Sequence, residues 1–463
     1  MSASSVSFLA MHEVAGLLRR GELSAVALAQ QQLARIERLE PVLKSFACVT
    51  ADLALKQAEA ADAAFQRGEI RSPLQGIPVG IKDLCRMRGA PTAGGTVVFR
   101  SLPSTEDAVV VRRLKQSGAV VLGKLQMTEA GFSDYHPSIA VPMNPWGAKL
   151  WSGVSSSGSG VATAAGLCYA AVSTDTGGSI RWPSAANGVT GLKPTWERLS
   201  TKGVLPCAPS LDTVGPMARN ALDCALLMQA MMSDDVAEQS IFSAESIVSH
   251  APNLQGLRIG VDEHYAFDKS DEPTRAHVSQ AIKEFEALGA QVRHVRVPDY
   301  PELLADMLKA VAVEAAVSHA ATFPSRAAEY GPRAAEVLAS AHLIGPEEHS
   351  AITARRKRFC ELMKLLFNEI DLLVTPVQCF AAPDATLLER QNEGYERLER
   401  LARFTCAFNL TGQPTLTLPC GFTEMGAPIG FQLVARSMDD ALLLQLGYRY
   451  QSITEWHLQV PPL

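Results

Sequence analysis

Apolar residues recur along the chain at two spacings, and the alternation between them predicts the elements. In "GELSAVALAQQQLARIERLE", Val26, Ala29, Leu33 and Ile36 fall three or four apart, one face of a helix that Ser24 can cap. "ADLALKQAEAADAAFQRG" repeats the pattern, with Gly68 as its stop. The first 70 residues therefore read as helices for packing and oligomer contacts, an arrangement that allows a homodimer.

Beyond residue 70 the period changes. "IPVGIK" (Ile77 to Lys82) and "AVVLGKL" (Ala119 to Leu125) are short apolar runs that predict strands, with "DAVVVRRLKQSG" between them as a helix ending at Gly118. "LRIGV" is followed by a helix that Pro273 starts and Gly289 stops, then by "QVRHVRV". "DLLVTPV", "PTLTLPCGF" and "PIGFQLVA" are further strands, and "DDALLLQLGYRYQ" a helix. Alternation of this kind argues for an α/β fold, a sheet at least partly parallel and covered by helices. With no internal repeat and no clear linker, residues 1–463 read as one domain.

From Trp151 to Thr174 the chain has no charge, yet its apolar part, "VATAAGLCYAAV", is too short to cross a bilayer. It predicts a buried helix from about Ser156 to Leu167 and a buried strand from Cys168 to Thr174. The helix rises roughly 18 Å and the strand returns by roughly 23 Å. The Ser-rich start "WSGVSSSGSG" and the end "DTGGS" can therefore meet.

Composition narrows the functions. A net charge of −6 and a pI near 6.0 give no electrostatic footprint for nucleic acid. Nine scattered cysteines with no C-x-x-C pair signal neither a metal site nor a disulfide framework, and suit reduced thiols of a cytoplasmic protein. The N-terminus lacks the basic start and sustained apolar core of a signal peptide, so neither export nor membrane attachment is expected.

The candidate chemistry lies in "STDTGGSIRWPSAANGVTGLKP". Gly177 and Gly178 suit neither strand nor helix, and mark backbone that bends sharply or lets a ligand approach. Ser179 after them is a nucleophile candidate that needs a base. The G-x-S-x-G elbow is absent and the ten histidines read as surface or packing residues, so a Ser-His-Asp triad is not indicated. Taken alone, Lys82 reads as a strand-end lysine reaching solvent and Ser155 as a helix cap. Asp175 and Arg181 read as a buried structural pair, and Lys193 as a scaffold residue.

In order along the chain stand "GIPVGIKDL", "NPW", "SGVSSSGSG", "TDTGGSIRWP", "GLKPT", "SLDTVGPMAR", "FNLTGQPTLTLPCGF" and "PIGFQLVAR". Together these resemble the amidase signature family. The resemblance implies a single domain with a central twisted mixed sheet covered by helices on both faces. It divides the chain into N-terminal helices (1–70), a signature core (71–220), a variable substrate-shaping part (about 240–400) and C-terminal core strands with a helix (401–463). It also implies a Ser-Ser-Lys triad: Ser179 as nucleophile, Ser155 as bridging serine and Lys82 as base. Ser156 and Ser157 are lesser candidates for the bridge. The 24 residues from Ser155 to Ser179 are similar to the family's separation.

As a base, Lys82 must have its pKa lowered from about 10.4 toward about 7 to 8, which burial supplies. The backbone N–H groups of Thr176, Gly177, Gly178 and Ser179 are then the oxyanion-hole candidates. Where the family more often has glycine this chain has Val154, and the resemblance implies a cis Val154–Ser155 bond. "WER" after "GLKPT" replaces the family's common "YGR".

The activity implied is amide hydrolysis through an acyl-enzyme, with a small-molecule amide and water as partners and no metal or other cofactor. Met127, Phe132, Tyr135, Trp182 and Phe380 are candidates for an apolar pocket wall, which favours a hydrophobic or aromatic acyl group. Met127, Tyr135 and Trp182 are the substrate-binding residues proposed among them. Two alternatives stay open: the glutaminase component of a tRNA-dependent amidotransferase, and a silent homologue that only binds a ligand.

Overall fold

Eleven short runs, most of them rich in branched and small apolar residues, pair into one sheet. In chain order they are β1 (Phe46–Val49), β2 (Pro78–Lys82), β3 (Val120–Leu125), β4 (Ala170–Asp175), β5 (Thr190–Lys193) and β6 (Thr213–Ala218). The remainder are β7 (Arg258–Val261), β8 (Gln291–His294), β9 (Leu372–Pro376), β10 (Thr415–Phe422) and β11 (Pro428–Val434). The structure is a computed structural model, and it describes residues 6–100, 103–232, 235–250, 253–381 and 394–463.

The strand order is β1-β3-β2-β4-β6-β5-β10-β11-β9-β7-β8. The trio β3-β2-β4 is parallel, as is the trio β9-β7-β8. Antiparallel pairings through β6, β5, β10 and β11 join them, so the sheet is mixed. Every residue of β2 to β6 is buried, because helices cover both faces of this single-domain α/β fold.

The predicted elements appear with shifted ends. Ser24 caps the helix Ala25–Leu43 by accepting a hydrogen bond from Ala27 N–H. Pro273 lies in the first turn of Glu272–Ala287, whose cap is Asp271. The uncharged stretch forms a helix over Ser157–Ala164, shorter than expected because Gly166 turns the chain at φ +63°, and β4 begins at Ala170.

Three strands escape the pattern. β1 is a short run lodged between two helices, β5 is interrupted by Gly191, and β6 contains Gly215 and Pro216, which argue against a central strand. Pro216 is tolerated because β5 pairs with β6 only at Met217 and Ala218. On that side its missing N–H breaks no ladder.

Candidate active site

β2 and β4 are parallel neighbours in register at Ile81 and Val172, so their C-terminal ends emerge side by side. Lys82 ends β2, while Thr174 and Asp175 end β4. Lys82 Nζ lies 2.7 Å from Ser155 Oγ, 2.8 Å from Thr174 Oγ1 and 3.3 Å from the Thr174 carbonyl oxygen. A neutral amine has two N–H groups and one lone pair. With both N–H groups donated to Thr174, the lone pair is left to accept the Ser155 hydroxyl proton.

Burial brings the neutral form within reach. Lys82 is wholly inaccessible, and loss of hydration lowers its pKa from 10.5 to about 8, against smaller opposing effects from Cys85, Asp175, Cys207 and Asp212. Lys193, at the end of β5, is equally buried and is pushed down to about 7, by burial first and then by the Arg181 charge. Its Nζ donates to the Pro194 carbonyl at 2.9 Å.

Ser155 follows a cis Val154–Ser155 peptide, as the motif implies. Its carbonyl accepts from Thr128 N–H at 3.3 Å. The neighbouring serines are engaged elsewhere. Ser156 Oγ donates to the Thr174 carbonyl, and Ser157 Oγ accepts from the Tyr135 hydroxyl at 2.5 Å.

The loop bearing Ser179 is joined to this turn by Ser156 N–H donating to the Ser179 carbonyl at 3.3 Å. Ser179 is 6% exposed, and among the described residues nothing hydrogen-bonds its Oγ. The structure thus brings Lys82 and Ser155 into contact, and no hydrogen bond joins Ser179 Oγ to either.

Asp175 organises the loop from inside. Its carboxylate accepts from Gly178 N–H at 2.9 Å and Ile180 N–H at 3.0 Å, and from Arg181 Nε and Nη2 at 3.0 and 2.8 Å. Asn409 Nδ2 adds a bond of 2.8 Å, and Arg181 Nη1 donates to the Thr405 carbonyl. Burial pushes the Asp175 carboxyl up, but the Arg181 charge and these bonds outweigh it and hold the pKa well below the usual range.

Of the four oxyanion-donor candidates, Gly178 N–H is therefore already used. The N–H groups of Thr176, Gly177 and Ser179 have no acceptor among the described residues. The glycines also answer to packing. Gly178 has φ +142°, and a Cβ there would lie 2.4 Å from the Trp182 indole. A Cβ on Gly177 would lie 2.7 Å from Met307 Cε.

The candidate wall residues divide into separate places. Trp182, with Nε1 donating to the Leu401 carbonyl, packs with Trp151, Val154, Leu304 and Met307, and Phe380 lies against that cluster. Phe132 belongs to a different cluster with Ala315 and Tyr330, while Met127 and Tyr135 belong to neither. Each of the two clusters draws on both stretches, 126–151 and 298–409, and Val311 packs against both. Residues 382–393 of the second stretch lie outside the described residues.

Sequence reasoning missed Thr174, Asn409 and Met307. Thr174 and Asn409 stand in or beside signature motifs without a role, and Met307 has no local signal at all.

The chain matches the Amidase family model over residues 27–444. It is 41% identical over 466 residues to the Mycobacterium tuberculosis protein named as an amidase, AmiD, covering 100% of this chain and 98% of that one. It is 34% identical over 480 residues to a glutamyl-tRNA(Gln) amidotransferase subunit of Nitrosococcus oceani, covering 97% and 98%. The structure of native peptide amidase from Stenotrophomonas maltophilia superposes with a TM-score of 0.81 at 26% identity, covering 98% of each chain. Fold and relatives together define the class, an enzyme that hydrolyses carbon–nitrogen bonds other than peptide links. Within that class, the chain belongs to the amidase signature family.

Proposed function

We propose that the protein hydrolyses a small carboxylic amide through an acyl-enzyme on Ser179, with Ser155 and Lys82 as proton relay and base. The observation that carries this reading is the 2.7 Å contact between the buried Lys82 amine and Ser155 Oγ. In the first half-reaction neutral Lys82 takes the Ser155 proton as Ser155 takes that of Ser179. Ser179 Oγ bonds to the substrate carbonyl carbon, and charge on the carbonyl oxygen is met by the N–H groups of Thr176, Gly177 and Ser179. The same proton returns through Ser155 to the leaving nitrogen as the C–N bond breaks. Water then repeats the sequence on the ester, releasing the acid and restoring Ser179.

The apolar cluster of Trp151, Val154, Trp182, Leu304 and Met307 beside the loop supports a hydrophobic or aromatic acyl group. A glutaminase reading draws on the resemblance to the glutamyl-tRNA(Gln) amidotransferase relative. It fits less well, because glutamine carries an ammonium and a carboxylate that this cluster does not meet. Free thiols at all nine cysteines suit a cytoplasmic setting, and no described helix is long and apolar enough to cross a membrane.

The test is acyl transfer to hydroxylamine across primary amides from acetamide to benzamide, with glutamine included. Hydroxamate from the wild type and none from Ser179→Ala is the expected result. Equal product from the variant would remove Ser179 as nucleophile, and a preference for glutamine would favour the second reading.

A further inference from the structure

Two glycines in succession give the oxyanion loop more backbone freedom than any other pair, so its donors hold direction only if the loop is tied from outside. Asp175 ties one side, through Gly178 N–H and Ile180 N–H. Thr176, on the other side of the glycines, is reached by a second carboxylate. Its Oγ1 donates to Asp212 Oδ1 at 2.6 Å.

Asp212 is itself fixed by backbone. It accepts from Cys207 N–H at 2.9 Å and from Ala208 N–H at 3.1 Å, closing residues 207–212 into a tight turn. Glu314 of the helix Leu303–Ser318 anchors that turn, accepting from Ser210 N–H at 2.8 Å and Ser210 Oγ at 2.6 Å. Arg356 Nη2 donates to the Ser210 carbonyl at 3.0 Å. The same helix sets Met307 against Gly177.

We propose that Asp212 is a positioning residue for the reaction: by holding the Thr176 hydroxyl it fixes the direction of the Thr176 and Gly177 N–H groups toward the substrate oxygen. This rests on the acyl-enzyme reading above. Asp212 touches no reacting atom. Its contribution belongs to the transition state, where charge on the oxygen is largest, so it acts on kcat and leaves KM nearly unchanged.

Thr176 allows the cleanest test, because valine keeps the shape and removes the hydroxyl while serine keeps the hydroxyl. Thr176→Val is expected to lower kcat by about tenfold, a fraction of the loss of a whole oxyanion donor, with KM within about twofold. Thr176→Ser is expected to restore kcat to within about threefold of wild type. Asp212→Ala should lower kcat at least as far, and combining it with Thr176→Val should add no further loss, since both break one interaction.

All are measured by hydroxamate formation on one good amide, beside Ser179→Ala. Unchanged kcat in Thr176→Val, a loss confined to KM, or full multiplication of the two losses would overturn the positioning role while leaving the acyl-enzyme standing. A wild type that forms no hydroxamate from any amide would overturn both. If Asp212→Ala does not fold, the Thr176 pair decides.

Discussion

Lys82 Nζ and Ser155 Oγ sit 2.7 Å apart at the ends of different segments, and the lysine has no solvent contact. Below its pKa of about 8 the amine is protonated and has no lone pair for the serine. We predict that kcat/KM rises about tenfold per pH unit toward pH 8 and levels above it. A flat profile from pH 6 to 8, or a Lys82→Ala variant keeping most of the activity, would remove Lys82 as base.

Thr174 accepts both N–H groups of that neutral amine. Removing its hydroxyl in Thr174→Val frees the amine to rotate, so the lone pair points at Ser155 less of the time. The prediction is a fall in kcat of about tenfold, with Thr174→Ser close to wild type. Equal kinetics for the valine and wild-type proteins would show that the carbonyl alone orients the lysine.

Gly178→Ala meets two obstacles, a φ of +142° and a Cβ 2.4 Å from the Trp182 ring. Trimming the ring removes only the second. We predict that Gly178→Ala loses stability by about 2 kcal/mol or more in urea denaturation. Gly178→Ala with Trp182→Ala should recover neither full stability nor full activity, and full recovery would show that backbone conformation is not limiting.

Arg181→Leu strips Asp175 of its counter-charge in a fully buried place. Breaking a buried pair this way costs about 3 to 5 kcal/mol, and a loss below about 1 kcal/mol would contradict the role given to the pair. With the partner present, the folded-state pKa of Asp175 lies below 3.8. The stability it contributes is therefore complete above about pH 4 and is lost as pH falls below that value. In Arg181→Leu burial is no longer outweighed by the guanidinium, so protonating Asp175 relieves the variant, and its stability deficit against the wild type should narrow as pH falls below about 4.

Much of the frame was legible before the structure. Periodicity found the helix that Ser24 caps and the run ending at Lys82, because each buries one face or both and so has a pattern. β5 and β6 were hidden by Gly191 and by Pro216, whose place depends on how far a neighbouring strand extends. At the site, motifs pointed to Lys82, Ser155 and Ser179, but the partners that hold them do not announce themselves locally. Asn409 is 234 residues from Asp175, and the fold alone joins them. The pocket was least legible, since apolar residues look alike in a core and in a wall.

The bonds from Asp175 and Arg181 to Asn409 and Thr405 also set an order in time. Lys82, Ser155 and Ser179 are all made in the first two-fifths of translation, while Arg181 must wait 224 residues for the carbonyl of Thr405. A nascent chain that has emerged only to residue 400 holds Lys82, Ser155 and Ser179 but lacks the segment that bonds Asp175 and Arg181 in the loop bearing Ser179. On the mechanism proposed above, activity is then expected only once the segment bearing Thr405 and Asn409 has joined the loop, so a chain cut short at residue 400 is expected to be as inert as one cut short early.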